Sequence, residues 1–284
     1  MSNTVLRQSE KECRRLARSH YENFAIASIL LPRRLRQPFY NVYAFCRTAD
    51  DFADESETPE IATQRLLQFQ QHLDSTYAGN PPEDLFVALA HTISAFDLPK
   101  QLFDDLLSAF QQDQTKSRYA NFDELHDYCR RSANPVGRIV LHLVGAFNET
   151  NEGLSDEICT GLQLVNFAQD VARDYAIDRI YIPSDEMDAF RVSVGMFDSQ
   201  TTCREVRDLV QSQTNRATEF LNRGMPLADR VPKWFSSDVR LFVHGGMATA
   251  DAIRKIGFDV LRIRPKVSKL RQARLLLRVM CGML

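Results

Sequence analysis

The sequence has few of the residues that interrupt helices. Its 284 residues include 11 glycines and 11 prolines, together about 8% against an average of roughly 12%. Its hydrophobic fraction of 44% and charged fraction of 25% are typical of a folded globular protein and exclude wholesale disorder. Apolar residues recur at helical spacing along most of the chain, and no strand-like alternation persists. We therefore predict an all-α fold with eight or more helices.

The chain also lacks a segment that would separate two domains. Its length alone suggests about two domains, but we find no linker, no repeat of 20 to 50 residues and no low-complexity tract. We therefore predict a single domain over residues 1–284, with a basic tail from about residue 262 to residue 284.

The sequence also has little net charge, no paired-cysteine motif and no long apolar run. The 35 Lys and Arg against 37 Asp and Glu give a net charge of −2, which argues against nucleic acid as a partner. The six cysteines form no CxxC or zinc-like spacing, so we expect reduced thiols. The longest apolar stretches, Ala25–Leu31 and Ile139–Phe147, fall short of the roughly 20 residues that span a bilayer. With no apolar core for a secretory signal near residue 1, we expect a cytoplasmic protein, soluble or in peripheral contact with the inner membrane surface.

Several helix boundaries follow from proline, capping residues and periodicity. We predict that a helix runs from about Pro38 to Asp54 and that the Thr58-Pro59 step marks a turn. A helix over residues 122–147 should kink at Asn134-Pro135. Ser155 is the predicted N-cap of a helix that reaches Asp174, and residues 175–200 should be irregular.

One acidic helix is predicted over residues 41–55. At 100° per residue, Tyr43, Arg47, Asp50 and Asp54 fall within about 60° of arc, directly beside an apolar shoulder. A surface helix normally separates its charges from its apolar face. An exposed acidic helix end remains the alternative for residues 50–60, because acidic pairs are common on solvated faces.

A second helix, over residues 161–174, repeats this arrangement. Gln163, Asn166, Asp170 and Asp174 fall within about 80° of arc between apolar neighbours. Four carboxylates on two facing helices would need cations to relieve their repulsion. Oxygen ligands without His or Cys suit Mg²⁺, which takes further ligands from substrate phosphate. The pattern therefore favours a diphosphate held by Mg²⁺, with Arg47 contacting the phosphate oxygens.

At these residues the sequence resembles the squalene/phytoene synthase family. The two aspartate motifs are Asp50-xxx-Asp54 and Asn166-xxx-Asp170-xxx-Asp174. Further blocks follow in the family's order across roughly residues 20–270, namely Tyr43-Ala-Phe-Cys-Arg47, Tyr128-Cys-Arg-Arg-Ser132, Asp178-Arg-Ile-Tyr-Ile-Pro183, Phe258-Asp-Val-Leu261 and Arg264-Pro265.

The resemblance implies an isoprenoid-synthase-type helical bundle around a central apolar cavity, and Mg²⁺-dependent ionisation of an isoprenoid diphosphate. The magnesium ligands that it implies are Asp50, Asp54, Asn166, Asp170 and Asp174. The expected substrate-binding residues are Tyr21, Asn23, Tyr43, Arg47, Gln169 and Arg179. The expected catalytic residues are Arg47, Tyr128 and Asn134. Tyr128 would face a carbocation, which aromatic faces stabilise, although most of the 18 phenylalanines should only pack the core.

Three departures from the family pattern point to one branch. His20-Tyr-Glu-Asn-Phe24 replaces a Ser-x-Ser-Phe block, Gln169 replaces the arginine common before the first aspartate of the second motif, and Ser132–Arg138 differs from the usual small-residue stretch. These variants resemble the hydroxysqualene synthases of bacterial hopanoid pathways. The resemblance implies a lyase that ionises presqualene diphosphate and lets water end the reaction, with no need for NADPH.

Alternatives to this reaction stay open at the level of sequence. One is head-to-head condensation of two farnesyl diphosphates to presqualene diphosphate or squalene, and another is a helical scaffold without activity. Tyr21, Glu22, Asn23 and Asn134 are candidates for positioning the water, although Asn134 would equally satisfy backbone freed at Pro135. The resemblance also implies functional coupling to a presqualene diphosphate synthase and to a flavin-dependent downstream enzyme.

The predicted tail is basic and partly apolar. Seven Lys and Arg occur between Arg262 and Arg278, no acidic residue follows Asp259, and leucines cluster at 275–277. Such a segment is typical of a helix that rests on anionic lipid. The alternative is that its leucines pack on the main domain and its arginines are solvated.

Overall fold

The structure, a computed structural model, describes residues 3–19, 31–199 and 201–280. Within these ranges every regular element is a helix: twelve α-helices and two 3₁₀ helices. This confirms the predicted all-α fold. The chain groups into two compact units, one formed by residues up to Thr115 with Arg138–Phe147, the other by Lys116–Gly137 with the residues from Asn148 onwards. The single domain stays a prediction.

The first unit is built around aromatic side chains. Its helices are α1 (Asn3–Ser19), α2 (Arg33–Asp54), α3 (Pro59–Tyr77), α4 (Leu85–Phe96) and α5 (Lys100–Gln112), and it also holds most of α7 (Asn134–Val144). The ring of Phe45 is fully buried, with its centroid 4.9 Å from that of Phe69 and 5.1 Å from that of Phe103. These phenylalanines pack the core, as the sequence predicts for most of their kind.

Helix α2 begins earlier than predicted. Its first residue is Arg33 rather than Pro38, because Pro32 occupies the N-cap position and its carbonyl accepts from the backbone N–H of Leu35. Pro38 lies inside the helix, where it removes only one backbone hydrogen bond. The turn predicted at Thr58 is confirmed, since the side chain of Thr58 caps α3.

The second unit is organised around one long helix. Its helices are α6 (Phe122–Ser132), α8 (Glu149–Ala176), α9 (Ser184–Ala189), α10 (Arg204–Gly224), α11 (Lys233–Lys255) and α12 (Lys269–Met280), with 3₁₀ turns at Val194–Asp198 and Met225–Asp229. Helices α8 and α10 approach closely at two glycines. A Cβ atom at Gly161 would lie 2.9 Å from the backbone nitrogen of Leu221, and one at Gly224 would lie 2.8 Å from the carbonyl of Leu154.

Three local predictions in this unit were wrong. Helix α8 begins at Glu149 because Asn148, not Ser155, caps it through a side-chain hydrogen bond to the N–H of Asn151. The kink expected at Asn134-Pro135 is a break, because α6 ends at Ser132 and α7 starts at Asn134. Residues 175–200 contain α9 and a 3₁₀ turn, so they are less irregular than predicted.

Within the described residues, no helix combines the length and the hydropathy needed to cross a bilayer. The cysteines that are described, Cys13, Cys46, Cys129, Cys159 and Cys203, are free thiols. This agrees with the expectation of reduced cysteines. Cys281 lies outside the described residues.

Candidate active site

The first acidic stripe consists of Tyr43, Arg47, Asp50 and Asp54 on α2, and Arg47 lies at its centre. Its guanidinium Nη1 lies 3.0 Å from Asp50 Oδ2, and Nη2 lies 2.5 Å from Asp51 Oδ1 and 3.3 Å from Glu55 Oε1. Its Nε–H is buried and has no hydrogen-bond partner among the described residues. Arg47 therefore pairs with three carboxylates of an acidic cluster while one of its buried donors has no partner among the described residues.

The carboxylate of Asp50 is crowded by its surroundings. Burial, followed by the charge of Asp54, raises its pKa to about 6, and the nearby guanidinium of Arg47 only partly opposes this. Burial also raises the pKa of the neighbouring Tyr43 hydroxyl. An ion that neutralised the two aspartates would relieve this repulsion. The exposed acidic helix end considered from the sequence does not describe Asp50, which is half-buried, but it does describe Asp54, Glu55 and residues 57–60, which are exposed.

The second acidic stripe consists of Gln163, Asn166, Asp170 and Asp174 on α8. It contains an ion pair that the sequence did not predict. Arg264 donates from Nε to Asp170 Oδ1 at 2.6 Å and from Nη2 to Oδ2 at 3.0 Å, which makes a bidentate ion pair. Arg173 Nη1 lies 3.9 Å from the same carboxylate, whose side chain is 10% exposed. The hydrogen bond to Asp170 raises the pKa of Arg264. Both oxygens of Asp170 are thus engaged by protein cations.

Gln169 also contacts this basic segment. Its Nε2 donates to the backbone carbonyl of Pro265 at 2.6 Å. Sequence reasoning noted Gln169 as a substitution and Arg264-Pro265 as a family block, but it did not connect the two. Their contact spans 96 positions along the chain, so no local pattern in the sequence indicates it.

The turn after α8 brings the backbone of Arg179 against Asp174, the last predicted ligand. The backbone N–H of Arg179 donates to the carbonyl of Asp174 at 2.8 Å, while Asp178 adopts a left-handed conformation with φ of 60°. Arg118 fastens this turn by donating to the carbonyl of Asp178 at 2.5 Å and to its carboxylate at 2.6 Å. Asp174 and Arg179 are therefore held at one end of α8.

Tyr128 belongs to a buried cluster of four aromatic rings. Phe167 and Tyr181 stack with centroids 3.9 Å apart and planes 9° apart. The ring of Tyr128 lies 5.7 Å from that of Tyr181 and 5.5 Å from that of Tyr119. Phe167 follows Asn166 on α8, so the cluster adjoins the second acidic stripe. Of these four residues the sequence singles out only Tyr128 as a site residue, and its role beside a carbocation stays a prediction.

The side chain of Asn134 has a specific buried partner. Its Oδ1 accepts a hydrogen bond of 3.0 Å from Thr160 Oγ1, and both residues are almost fully buried. Thr160 lies on α8, about 9 Å along the helix axis from Asn166 at 1.5 Å per residue. The pair satisfies a polar group in the core, and the catalytic role of Asn134 stays a prediction.

The donor chemistry of both stripes fits Mg²⁺. Within the described ranges no three His, Cys, Asp or Glu side chains converge as a preformed metal cage. Magnesium does not require one, because it keeps several waters and binds one or two carboxylates together with substrate phosphates. The crowded carboxylate of Asp50 has the oxygen donors that such a site uses. Of the predicted substrate contacts, Tyr21 and Asn23 lie outside the described residues, as does Glu22.

Comparison with known proteins gives a consistent family. The profile described as Squalene/phytoene synthase matches residues 17–271 of the chain. The hydroxysqualene synthase of Rhodopseudomonas palustris is 35% identical over 214 residues, which cover 74% of this chain and 71% of that protein. A 15-cis-phytoene synthase of Synechococcus elongatus is 26% identical and covers 94% of this chain and 91% of its own length.

A solved structure agrees with these sequence relatives. The crystal structure of squalene synthase HpnC from Alicyclobacillus acidocaldarius matches with a TM-score of 0.86 and 37% identity. The match covers 91% of this chain and 97% of that one. The similarity therefore extends over nearly the whole of both chains.

Proposed function

Because the chain belongs to the squalene/phytoene synthase family, we propose that it is a hydroxysqualene synthase acting on presqualene diphosphate. The family resemblance and the helical isoprenoid-synthase-type fold predicted from the sequence are confirmed. One observation carries the choice of branch: two hydroxysqualene synthases are 34–35% identical to this chain, whereas two phytoene synthases are 26–29% identical.

The two aspartate motifs carry the metal part of this proposal. The proposed magnesium ligands are Asp50, Asp54, Asn166, Asp170 and Asp174. When bound, Mg²⁺ would supply positive charge to the departing diphosphate. Arg47, with its buried Nε–H donor, and Arg179, at the end of α8, are proposed to bind and orient the diphosphate oxygens. Tyr43 and Gln169 complete the proposed substrate contacts, together with Tyr21 and Asn23.

The proposed reaction needs no reductant. Breaking the carbon–oxygen bond of presqualene diphosphate sends the electron pair out with diphosphate and leaves a carbocation. Rearrangement of that cation, addition of water oxygen and loss of one proton give hydroxysqualene, so the atoms balance without a hydride from NADPH. The aromatic cluster around Tyr128 is proposed to stabilise the cation, and Asn134 to direct the water. On this proposal the enzyme is a lyase of hopanoid biosynthesis.

A specific observation favours one alternative. The HpnC structure, at 37% identity, is described as a squalene synthase, so condensation of two farnesyl diphosphates is the second candidate. A scaffold without activity is disfavoured because both aspartate motifs, Arg47 and Arg179 are all retained. The proposed enzyme would take its substrate from a presqualene diphosphate synthase and pass its product to a flavin-dependent enzyme.

A product assay tests the proposal. We expect purified protein with Mg²⁺ and presqualene diphosphate, without NADPH, to release diphosphate and form hydroxysqualene, detected by mass spectrometry. Farnesyl diphosphate alone should remain unconverted. Accumulation of presqualene diphosphate from farnesyl diphosphate, or of squalene when NADPH is added as the hydride donor, would instead establish the condensing branch. No turnover of either substrate, with or without NADPH, would favour the scaffold.

We also propose peripheral contact with anionic lipid through α12. Leu270 and Leu277 are 62% and 58% exposed. The basic side chains of Arg271, Arg274 and Arg278 line a groove of about 540 Å³ beside α11, a combination that suits an anionic interface. Part of the tail does pack on the rest of its unit, since Leu275 lines the same groove.

Changing the exposed leucines tests this contact. Replacing Leu270 and Leu277 together by glutamine should weaken sedimentation with phosphatidylglycerol vesicles roughly tenfold, because buried apolar area is lost at the interface. The matched control is Leu67→Gln on α3, a leucine that is 51% exposed outside this surface. Equal sedimentation of the double variant, the control and the original protein would remove the proposed lipid contact.

A further inference from the structure

The segment that carries Arg264 is fastened on both sides. On the N-terminal side, Asp259 is buried, and its carboxylate lies 3.1 Å from Arg207 Nη2. On the C-terminal side, Gln169 donates to the carbonyl of Pro265, itself a buried residue. The backbone around Arg264 is thus held in place by contacts to α8 and α10. This anchoring restricts where the guanidinium can lie.

The carboxylate that Arg264 contacts is already compensated by positive charge. Each oxygen of Asp170 accepts one charge-assisted hydrogen bond from Arg264, and Arg173 supplies a second, more distant positive charge. Only 10% of the Asp170 side chain is exposed. Its buried charge is therefore compensated by protein cations alone. The guanidinium of Arg264 repels a second cation that approaches Asp170, so metal binding there is favoured when Arg264 moves away.

We propose that Arg264 is the exchangeable counter-ion of Asp170, and that Gln169 positions it through the carbonyl of Pro265. The inference rests on the proposed function, in which Asp170 is a magnesium ligand. Without a ligand, Arg264 stabilises the buried carboxylate and keeps a lone divalent cation out. An anionic ligand that offers the guanidinium another partner frees Asp170 for the metal. Divalent metal and anionic substrate then bind with positive coupling.

Gln169 has a definite part in this arrangement. Gln169 is neutral, so Arg264 is the cation that donates two hydrogen bonds to Asp170. The Nε2 of Gln169 holds the peptide next to Arg264 in place by donating to the carbonyl of Pro265. Gln169 is therefore a positioning residue, which acts through Arg264. Loss of its amide should loosen the ion pair without removing any charge.

Metal affinity without substrate tests the inference, since it does not depend on turnover. Mn²⁺, used as a probe for Mg²⁺, is titrated into the purified full chain and the free ion is measured by electron paramagnetic resonance. We expect Arg264→Gln to bind Mn²⁺ roughly tenfold more tightly than the original protein, because a charge-assisted bidentate pair no longer competes. Arg264→Lys, which keeps the charge but not the fork, should bind with intermediate affinity.

Further variants separate this role from a general effect. Gln169→Leu should strengthen Mn²⁺ binding less than Arg264→Gln does. Adding Asp170→Asn to Arg264→Gln should remove the gain, because the freed ligand is gone. The control, Arg223→Gln, breaks an ion pair of 2.8 Å with Glu157 in the same unit and should leave Mn²⁺ affinity unchanged. Circular dichroism checks that every variant keeps its helix content.

The outcomes distinguish the two proposals. Unchanged or weaker Mn²⁺ binding by folded Arg264→Gln overturns the counter-ion role of Arg264. If Arg264→Gln does not strengthen Mn²⁺ binding but Asp170→Asn alone weakens it, Asp170 is still a metal ligand, and only the role of Arg264 as its counter-ion is wrong. If neither the original protein nor any variant binds Mn²⁺, the counter-ion inference falls, whereas the magnesium assignment is tested separately by whether diphosphate release from presqualene diphosphate requires Mg²⁺.

Discussion

Replacing Asp50 by asparagine is expected to lower the rate of diphosphate release on the order of 10³-fold. The change keeps the shape of the side chain but removes the negative charge that the proposed magnesium requires. A catalytic metal contributes several kcal/mol of transition-state stabilisation, and about 1.4 kcal/mol corresponds to a tenfold change in rate. Single-turnover release of diphosphate from presqualene diphosphate measures the effect.

The variant should remain folded, because it relieves a repulsion instead of creating one. Burial and the charge of Asp54 raise the pKa of Asp50, so removing its charge does not destabilise α2. A matched control is Asp105→Asn on α5, a partly exposed carboxylate whose hydrogen bond is to Gln101. Its turnover should stay within twofold of the original. An active double variant, Asp50→Asn with Asp170→Asn, would contradict the metal assignment.

Features set by local spacing were the ones that the sequence could predict. The stripe of Arg47, Asp50 and Asp54 follows from the helical repeat alone, and the structure places Arg47 against Asp50 on one helix. The second stripe, with Asn166 and Asp170 on α8, follows in the same way. The all-α fold likewise follows from apolar periodicity and from the scarcity of helix breakers.

Contacts between distant segments were not predictable, because no periodicity connects them. Arg264 and Asp170 are 94 positions apart, and Tyr119 meets Tyr181 only because the chain after α8 pairs with the segment before α6. The start of α8 was misplaced for a different reason. Asn148 and Ser155 are both good caps, and only packing decides that Ser155 is buried inside the helix.

Asp170 combines a position that local spacing predicts with a contact to a distant segment that it does not. The sequence predicts a metal ligand at this position, and the structure shows its carboxylate compensated by Arg264. A buried carboxylate without any counter-ion would be strongly destabilising. The proposed metal site is therefore compatible with a stable ligand-free fold because the chain supplies its own cation there.

A second buried carboxylate has no such compensation, and its removal is expected to stabilise the protein. Asp238 on α11 is 1% exposed, and neither of its side-chain oxygens has a hydrogen-bond partner within the part of the chain that is described. Burial raises the pKa of Asp238 to about 7, compared with about 3.9 for aspartate in an unfolded chain. Between these pH values the folded protein holds a proton that the unfolded chain has released. The free energy of unfolding therefore falls as pH rises from about 4 to about 7.

Asp238→Asn should remove this pH-dependent fall in the free energy of unfolding, because asparagine has the same shape and no charge to bury. At pH 8 we expect its free energy of unfolding to exceed that of the original protein by about 4 kcal/mol, which corresponds to a Tm higher by roughly 10 °C. At pH 4 the two proteins should differ little, since Asp238 is then protonated in the folded state. Thermal and urea unfolding across this range measure the difference.

The exposed control Asp208→Asn, whose carboxylate is 48% exposed, should change stability by less than about 0.5 kcal/mol. Parallel pH profiles for Asp238→Asn and the original protein would show that Asp238 is charged and compensated in the folded state.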